Sequence, residues 1–174
     1  SRQSRSIRSS DMITELARAK INLTLEILGR RPDGFHELAS PVAFADCGDV
    51  VLLDTGAPPG VTVTGPFAPT IAGENLIEVT LRRLGAAEPR LRLGAVRLDK
   101  QLPVAAGIGG GSADAAAVLR AVRRANSELA ATVDWQRIAT GLGADVPVCL
   151  VNRTAWMTGI GEQVTALPGW PTFG

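Results

Sequence analysis

The sequence predicts an α+β domain, in which strands and helices are mixed without regular βαβ repetition. Residues 19–28 alternate between apolar and polar side chains, which is typical of a strand with one buried face. Residues 75–85 and 112–126 instead carry apolar side chains at helical spacing. Strand-like segments lie before, between and after these helices, and this irregular order favours α+β. The 174 residues are enough for one good-sized domain with a single core.

Strands are predicted first along the chain. The strand at 19–28 carries four apolar side chains on one face: Ile21, Leu23, Leu25 and Ile27. The segment GRRPDGFHE follows, and its two glycines and proline indicate an exposed turn. Further strands are predicted at 42–45, 50–53, 61–64, 91–98 and 148–158.

Three helices are predicted from the 3.6-residue period. The helix at 75–85 should begin at Asn75, which suits the N-cap, and end at Gly85. Its predicted apolar stripe consists of Leu76, Val79, Thr80, Arg83 and Leu84. The alanine-rich segment 112–126 is a strong helix former. A short helix at 134–140 should begin at its acidic first residue, and GLGADVP should then form a turn.

Composition argues against several classes of partner. The chain has 18 Lys and Arg, 17 Asp and Glu, and a formal net charge of +1, which gives no reason to expect nucleic acid or an anionic membrane. No apolar run approaches the ~18–20 residues of a membrane helix. Cys47, Cys149 and the single His36 form no zinc-binding pattern, and no metal ligand is assigned. Both cysteines are interpreted as small buried side chains in a reduced cytoplasm.

The two ends of the sequence differ from its centre. Residues 1–11, SRQSRSIRSSD, are basic and serine-rich, and they lack the apolar stretch of a secretory signal. We expect a disordered extension before a fold that starts at Met12, with an organelle transit peptide as the alternative. Residues 166–174 include LPGWPTFG and look like a turn rather than a closing strand or helix.

The segment with the clearest chemistry is LPVAAGIGGGSADAAAVL, residues 102–119. We call its part from Pro103 to Ser112 the glycine loop; the glycines are Gly107, Gly109, Gly110 and Gly111. Glycine permits positive φ and leaves space for an approaching phosphate. The start of the following helix offers backbone N–H groups and the positive end of a dipole, and Ser112 adds a hydroxyl at the predicted cap. These features are typical of an anion cradle.

Common phosphate-binding motifs do not match the glycine loop. A Walker loop needs a lysine after the glycines, and none is present. The dinucleotide fingerprint needs a glycine where Ser112 stands, and the HRD and DFG motifs of protein kinases are absent from the sequence. A flexible linker or hairpin turn is the alternative, although linkers rarely end abruptly in an alanine-rich helix.

The glycine loop and two other stretches resemble one family. PVAAGIGGGSADAA is similar to the PxxxGLGSSAA-type loop of the galactokinase, homoserine kinase, mevalonate kinase and phosphomevalonate kinase (GHMP) superfamily. The triple glycine, AKINLTLEILGRRPDGFHEL at 19–38, and GADVPVCL with GIGE at 143–162 look like its 4-diphosphocytidyl-2-C-methyl-D-erythritol branch. The resemblance implies the fold named after domain 2 of ribosomal protein S5 over residues 12–165, with 166–174 as the start of a connection to a C-terminal domain. It also implies ATP and Mg²⁺ as cofactors.

The same resemblance assigns the reacting groups. Asp145 in GADVP would be the catalytic base, whereas an isolated aspartate in a turn more often caps backbone. Lys20 in AKINL would sit near Asp145 and assist it, whereas alone it would be a solvated lysine. Asn22 would be a hydrogen-bonding neighbour of the substrate.

Other binding residues follow from the matched motifs. His36 and Phe35, which replaces the commoner tyrosine, would contact the cytosine ring of the substrate; the alternative is a loop folded onto the surface. Asn75 would lie near the nucleotide, although a helix cap explains it as well. Asp114 is expected to face solvent or act through a metal, and no catalytic role is assigned to it.

The resemblance implies a small-molecule kinase, which we expect in the cytoplasm. It would transfer the γ-phosphoryl group of ATP to the 2-hydroxyl of 4-diphosphocytidyl-2-C-methyl-D-erythritol, in non-mevalonate isoprenoid precursor synthesis. Another GHMP kinase acting on homoserine or mevalonate is one alternative. A nucleotide-binding fragment without activity is another, because the family has a second domain.

Overall fold

The computed structural model describes residues 11–30, 32–34, 36–70, 74–104 and 107–169. Residues 1–10, most of the predicted extension, lie outside the described residues, as do Phe35 and residues 170–174. The fold is α+β, as predicted from the sequence: one mixed sheet packed against helices. No described helix has the length and apolar character needed to cross a membrane.

A sheet of seven strands forms within the described residues. The strands are β1 (Met12–Asn22), β2 (Glu26–Arg30), β3 (His36–Asp54), β4 (Gly60–Thr64), β5 (Ala95–Asp99), β6 (Ala155–Gly159) and β7 (Gln163–Ala166). The main path runs β4-β5-β3-β6-β7, and β1 and β2 also pair with β3. All pairs are antiparallel except β4 with β5. Strand β3 is therefore the common partner of four others.

Strand β3 corrects the prediction of two short strands at 42–45 and 50–53. It runs without interruption for 19 residues, through the segment that was expected to separate them. Gly48 explains the continuity, because a Cβ there would overlap the carbonyl oxygen of Ala17 and lie 2.7 Å from its carbonyl carbon. The register of β1 on β3 shifts between Arg18 and Lys20. This is a β-bulge of β3, whose residues 45–47 lie opposite the single residue Ala19 of β1.

The predicted strand at 19–28 is also wrong in its extent. It is divided into the end of β1 and the start of β2, with residues 23–25 between them. The apolar face that was expected to be buried is exposed: Leu25 is 54% and Ile27 is 64% accessible. The alternation therefore predicted strand conformation correctly for most of the segment, but it wrongly predicted that the apolar face is buried.

Helix α1 (Leu76–Ala87) confirms the cap but not the predicted end. The Asn75 side chain accepts a hydrogen bond from the Ile77 N–H at 2.9 Å. The helix continues through Gly85, because alanines follow and the Glu88 N–H still donates to the Leu84 carbonyl. Its buried residues are Ile77, Thr80, Leu81 and Leu84, so the predicted stripe was only partly right.

Helix α2 (Gly110–Ala125) begins two residues earlier than predicted. Its N-cap is Gly109, in the left-handed conformation with φ +67°, and Ser112 therefore lies inside the first turn instead of at the cap. A left-handed cap favours glycine because it has no Cβ. The buried face of α2 is rich in alanine, and these small side chains let the helix pack closely on β1 and β3.

The C-terminal part contains two further helices. Helix α3 (Trp135–Leu142) begins at Asp134, whose side chain accepts from the Arg137 N–H, as the sequence predicts. Helix α4 (Val146–Val151) was not predicted; the strand expected at 148–158 is reduced to β6. Proline in the first turn is compatible with a helix, and Val146 and Val148 are fully buried, so packing overrides their strand propensity.

Candidate active site

Lys20 and Asp145 form an ion pair between β1 and the start of α4. The Lys20 Nζ lies 3.0 Å from the Asp145 Oδ1. The lysine side chain is 3% accessible, whereas that of Asp145 is 35% accessible. Asp145 occupies the N-cap position of α4, but its side chain makes no capping hydrogen bond. The carboxylate is thus available on a partly open surface with a buried cation behind it.

Asn22 completes this polar group. Its Oδ1 accepts a hydrogen bond from the Lys20 Nζ at 3.1 Å, and the Asn22 side chain is exposed. The two residues are on the same face of β1, because side chains two apart in a strand point the same way. The expected proximity of Lys20 and Asp145 is therefore present in the structure, and Asn22 joins them through Lys20.

The glycine loop is attached directly to Lys20. The Lys20 backbone N–H donates to the Ile108 carbonyl at 2.9 Å, next to the bulge of β3 opposite Ala19. A Cβ on Gly109 would lie 3.2 Å from the Lys20 Cε and 3.4 Å from its Cβ. Glycine at this position allows the loop to lie against the lysine side chain. The predicted anion cradle and the predicted catalytic lysine are thus neighbours.

The described part of the glycine loop has the properties of an open cradle. Gly107 and Gly109 have φ of +73° and +67°. A Cβ on Gly107 or Gly111 would meet nothing within 4 Å, so space remains on that side of the loop. The first N–H groups of α2, from Gly110 to Ser112, have no carbonyl partner within their own helix. Pro103, at the start of the loop, is exposed.

Arg120 joins the two elements that carry the ion pair. Its guanidinium donates to the Leu16 carbonyl of β1 at 3.0 Å and to the Cys149 carbonyl of α4 at 2.8 Å. It also pairs with Glu15 at 2.9 Å. Sequence reasoning missed this residue, because its contacts come from two segments that are distant from it in the sequence.

Three further charged residues lie beneath the glycine loop. Lys100 is 3% accessible and contacts Asp49, and its Nζ lies 2.9 Å from the Asp114 Oδ2. Asp114 is 4% accessible, which corrects the expectation that it faces solvent. A signal was present in the sequence: Asp114 lies four residues before Val118 and seven before Ala121, on the apolar face of α2.

The electrostatics of this group follow from its burial. Burial raises the pKa of Asp114 to about 7; the Lys100 ammonium opposes the rise and the Asp49 carboxylate adds to it. Burial also disfavours the charged form of Lys100, but the nearby Asp114 and Asp49 outweigh this and raise its pKa.

The remaining predicted residues lie apart from this contact network. Asn75 is a helix cap by its Oδ1, as the alternative interpretation held. His36 is exposed at the start of β3, the strand that continues to Phe44, the register partner of Lys20. Phe35 is outside the described residues. No hydrogen bond or ion pair within the described ranges joins Asn75 or His36 to Lys20 or Asp145.

Known proteins resemble this chain in sequence and fold. Residues 74–153 match the family model of the GHMP kinases N terminal domain. A 4-diphosphocytidyl-2-C-methyl-D-erythritol kinase of Bradyrhizobium diazoefficiens is 50% identical over 163 residues, covering 91% of this chain and 55% of that protein. One from Rhodopseudomonas palustris is 53% identical over 165 residues, covering 92% of this chain and 54% of that protein. The chain spans about half the length of the curated relatives it matches.

Solved structures agree. A crystal structure of 4-(cytidine 5'-diphospho)-2C-methyl-D-erythritol kinase matches with a TM-score of 0.70 and 36% identity, covering 89% of this chain and 55% of that one. The homoserine kinase of Cytophaga hutchinsonii matches with a TM-score of 0.56 at 19% identity, covering 95% and 54%, which reflects the fold alone. The chain belongs to the GHMP kinase family.

Proposed function

We propose that this chain forms the ATP-binding and catalytic part of a kinase for 4-diphosphocytidyl-2-C-methyl-D-erythritol. The observation that carries the proposal is the Lys20–Asp145 ion pair beside the glycine loop. Phosphoryl transfer to an alcohol needs a positioned hydroxyl, a group that takes its proton, and stabilisation of negative charge on the phosphoryl group. These three tasks suit the partly exposed carboxylate of Asp145, the buried ammonium of Lys20 and the N-terminus of α2.

In the proposed reaction the substrate 2-hydroxyl oxygen attacks the γ-phosphorus of ATP. The new O–P bond forms as the bond from the γ-phosphorus to the β,γ-bridging oxygen breaks, and ADP leaves with that electron pair. Asp145 accepts the hydroxyl proton, and Lys20 orients the carboxylate and offsets developing negative charge. The contacts of Lys20 with Asn22 and Ile108 fix its position before substrate binds.

ATP is the phosphoryl donor of the family, and we propose that the glycine loop holds its phosphates. Backbone N–H groups and the dipole of the 16-residue helix α2 favour anions at Gly110–Ser112. Pro103, Gly107, Gly109 and Gly111 shape the loop. Asn75 stays a proposed neighbour of the nucleotide, although its Oδ1 is already used in the cap.

The described residues do not form a site for the Mg²⁺ ion that the family implies. They include no group of three or more His, Cys, Asp or Glu side chains that could hold a metal, and the Asp114 carboxylate is engaged by Lys100. We therefore propose Mg²⁺ only as a companion of ATP, since with nucleotides it takes its ligands largely from phosphate and water oxygens. No step is assigned to it.

The substrate assignment rests on the similarity to 4-diphosphocytidyl-2-C-methyl-D-erythritol kinases and on the PDGFH motif. We propose that His36 and Phe35 contact the cytosine ring and that Asn22 hydrogen-bonds the acceptor end of the substrate. The cytoplasm stays the predicted location.

Turnover assays test this function directly. Incubation with ATP and 4-diphosphocytidyl-2-C-methyl-D-erythritol should give ADP and the 2-phosphate. Asp145→Asn should lower kcat by about 10²–10⁴, the usual contribution of a general base. The matched control is Asp134→Asn, which changes a helix-capping aspartate of α3 and should leave turnover intact.

Other outcomes separate the alternatives. Wild-type turnover by the Asp145 variant would exclude this residue as the base. Phosphorylation of homoserine or mevalonate, with no reaction on the cytidine compound, would change the substrate class. ATP binding without turnover of any of the three would support a nucleotide-binding module.

A further inference from the structure

Three charged side chains are buried together where the chain enters and leaves the glycine loop. Asp49 is in the central strand β3, Lys100 follows β5, and Asp114 is in the first part of α2. Their exposed fractions are 0%, 3% and 4%. Burying three charges is costly unless they are paired and hydrogen-bonded, so such a group needs an explanation.

Asp49 holds the segment that enters the loop. Its Oδ1 accepts hydrogen bonds from the backbone N–H groups of Gln101 and Leu102, both at 2.6 Å. Its Oδ2 accepts from the Lys100 Nζ. These residues directly precede Pro103, so Asp49 fixes the start of the loop to the most extensively paired strand of the sheet.

Lys100 extends this connection to the end of the loop. Its Nζ donates to the Asp114 Oδ2 at 2.9 Å. A Cβ on Gly110 would lie 3.1 Å from the same Nζ, so the helix backbone rests against the ammonium group. Strand β3, the entering segment and helix α2 are thus linked through one cation.

We propose that Asp49, Lys100 and Asp114 are a positioning cluster that sets the geometry of the glycine loop for ATP. The inference rests on the proposed function, which assigns the loop to ATP. None of the three contacts substrate; they act through the backbone at 101–102 and at 110. A solvent-exposed loop gains from such fixation because residues ordered in advance cost less entropy when a ligand binds.

A well-packed apolar contact would stabilise the fold as well as this buried ion pair does. The use of charged side chains here therefore favours a positioning role. One oxygen, Asp114 Oδ1, is buried without a hydrogen-bond partner among the described residues. The arrangement is therefore not the most stable packing of this site, whereas the two bonds from Asp49 to the loop backbone are short and directed.

Nucleotide binding by variants tests the inference. Asp49→Ala removes both backbone acceptors and should raise the Kd for ADP, measured by calorimetry, by about tenfold or more, as expected for losing hydrogen bonds to a charged group. Asp49→Asn keeps an oxygen for the two N–H groups and should restore much of the affinity. The Kd for the cytidine substrate should stay within about twofold in both, because that ligand does not depend on the loop.

The matched control is Asn126→Ala. Asn126 is fully buried at the other end of α2 and hydrogen-bonds Arg92 and Val122, so its loss destabilises the fold without touching the loop. Its Kd for ADP should equal that of the wild type. Equal weakening in Asn126→Ala and Asp49→Ala would show a general loss of structure and overturn the positioning role.

The outcomes also separate this inference from the function on which it rests. A wild type that does not bind ADP would overturn the assignment of the loop to ATP, and the positioning role with it. A wild type that binds ADP, together with an Asp49→Ala variant that binds equally well, would overturn only the positioning role. If Asp49→Ala fails to fold, Lys100→Met replaces it, and an unchanged Kd for ADP in this variant refutes the positioning role of the cluster.

Discussion

Replacing Asp114 by asparagine should make the protein more stable at neutral and alkaline pH. Burial raises the pKa of Asp114 from 3.8 to about 7, with Lys100 opposing and Asp49 adding to the shift. The folded state therefore binds this proton more tightly than the unfolded chain does. Stability that depends on Asp114 is fully present below about pH 4 and falls as pH rises towards 7, because ionisation is easier in the unfolded state. Asparagine removes this loss and keeps an oxygen for Lys100.

The size of the effect follows from the shift. About three pKa units correspond to roughly 4 kcal/mol in the limit of high pH. Between pH 5 and 8 the wild type should lose about 2–3 kcal/mol of stability relative to Asp114→Asn, since part of the difference already exists at pH 5. The groups around Asp114 are Asp49 from β3, Lys100 after β5, and Cys149 from α4, whose thiol burial keeps neutral with a pKa of about 12.

Urea unfolding of both proteins at pH 5 and pH 8 measures this difference. Other titrating groups are shared and cancel in the comparison. Asp134→Asn is the control, because it makes the same substitution at an exposed aspartate that caps α3 outside the buried cluster. A difference between Asp114→Asn and wild type that is the same at both pH values would refute the argument, as would a variant that loses stability most at pH 8.

Three other changes should have measurable effects. Gly48→Ala should lower stability by about 1–3 kcal/mol in thermal unfolding and reduce turnover, because its methyl would overlap the Ala17 carbonyl beside the bulge. Asn75→Ala should lower the free energy of unfolding by about 0.5–2 kcal/mol, because α1 loses its N-cap. An unchanged KM for ATP would show that Asn75 acts in folding alone. Iodoacetamide should modify exposed Cys47 in the native protein and spare buried Cys149, by mass spectrometry; equal labelling would contradict the packing of α4.

Local signals in the sequence predicted the structure correctly where a single side chain determines the conformation of the backbone next to it. Asn75 and Asp134 each accept a hydrogen bond from an N–H two or three residues later, so a short window contains all the information. The strand at 61–64 likewise matches β4 to within one residue. These features need no knowledge of the rest of the fold.

Errors arose where distant segments decide the structure. The segment 146–151 has strand propensity, yet it is helical because Val146 and Val148 pack into the core against α2. The interruption expected within β3 is absent because Gly48 meets Ala17 from another strand. The buried cluster was missed for the same reason: Asp49, Lys100 and Asp114 come from three separate segments.

The position of Lys20 shows how much of the site could be predicted from the sequence alone. Family resemblance, and not periodicity, predicted that it lies near Asp145, and the structure joins them at 3.0 Å. The contact depends on the bulge of β3 opposite Ala19, next to which the Lys20 N–H bonds the Ile108 carbonyl. It also depends on a glycine at 109 that leaves room for the lysine side chain. Neither requirement is visible within ten residues of Lys20. The bulge places the lysine, the loop covers it, and both rest on the same stretch of β3 that carries Gly48 and Asp49, so a change in this stretch should disturb catalysis and nucleotide binding together.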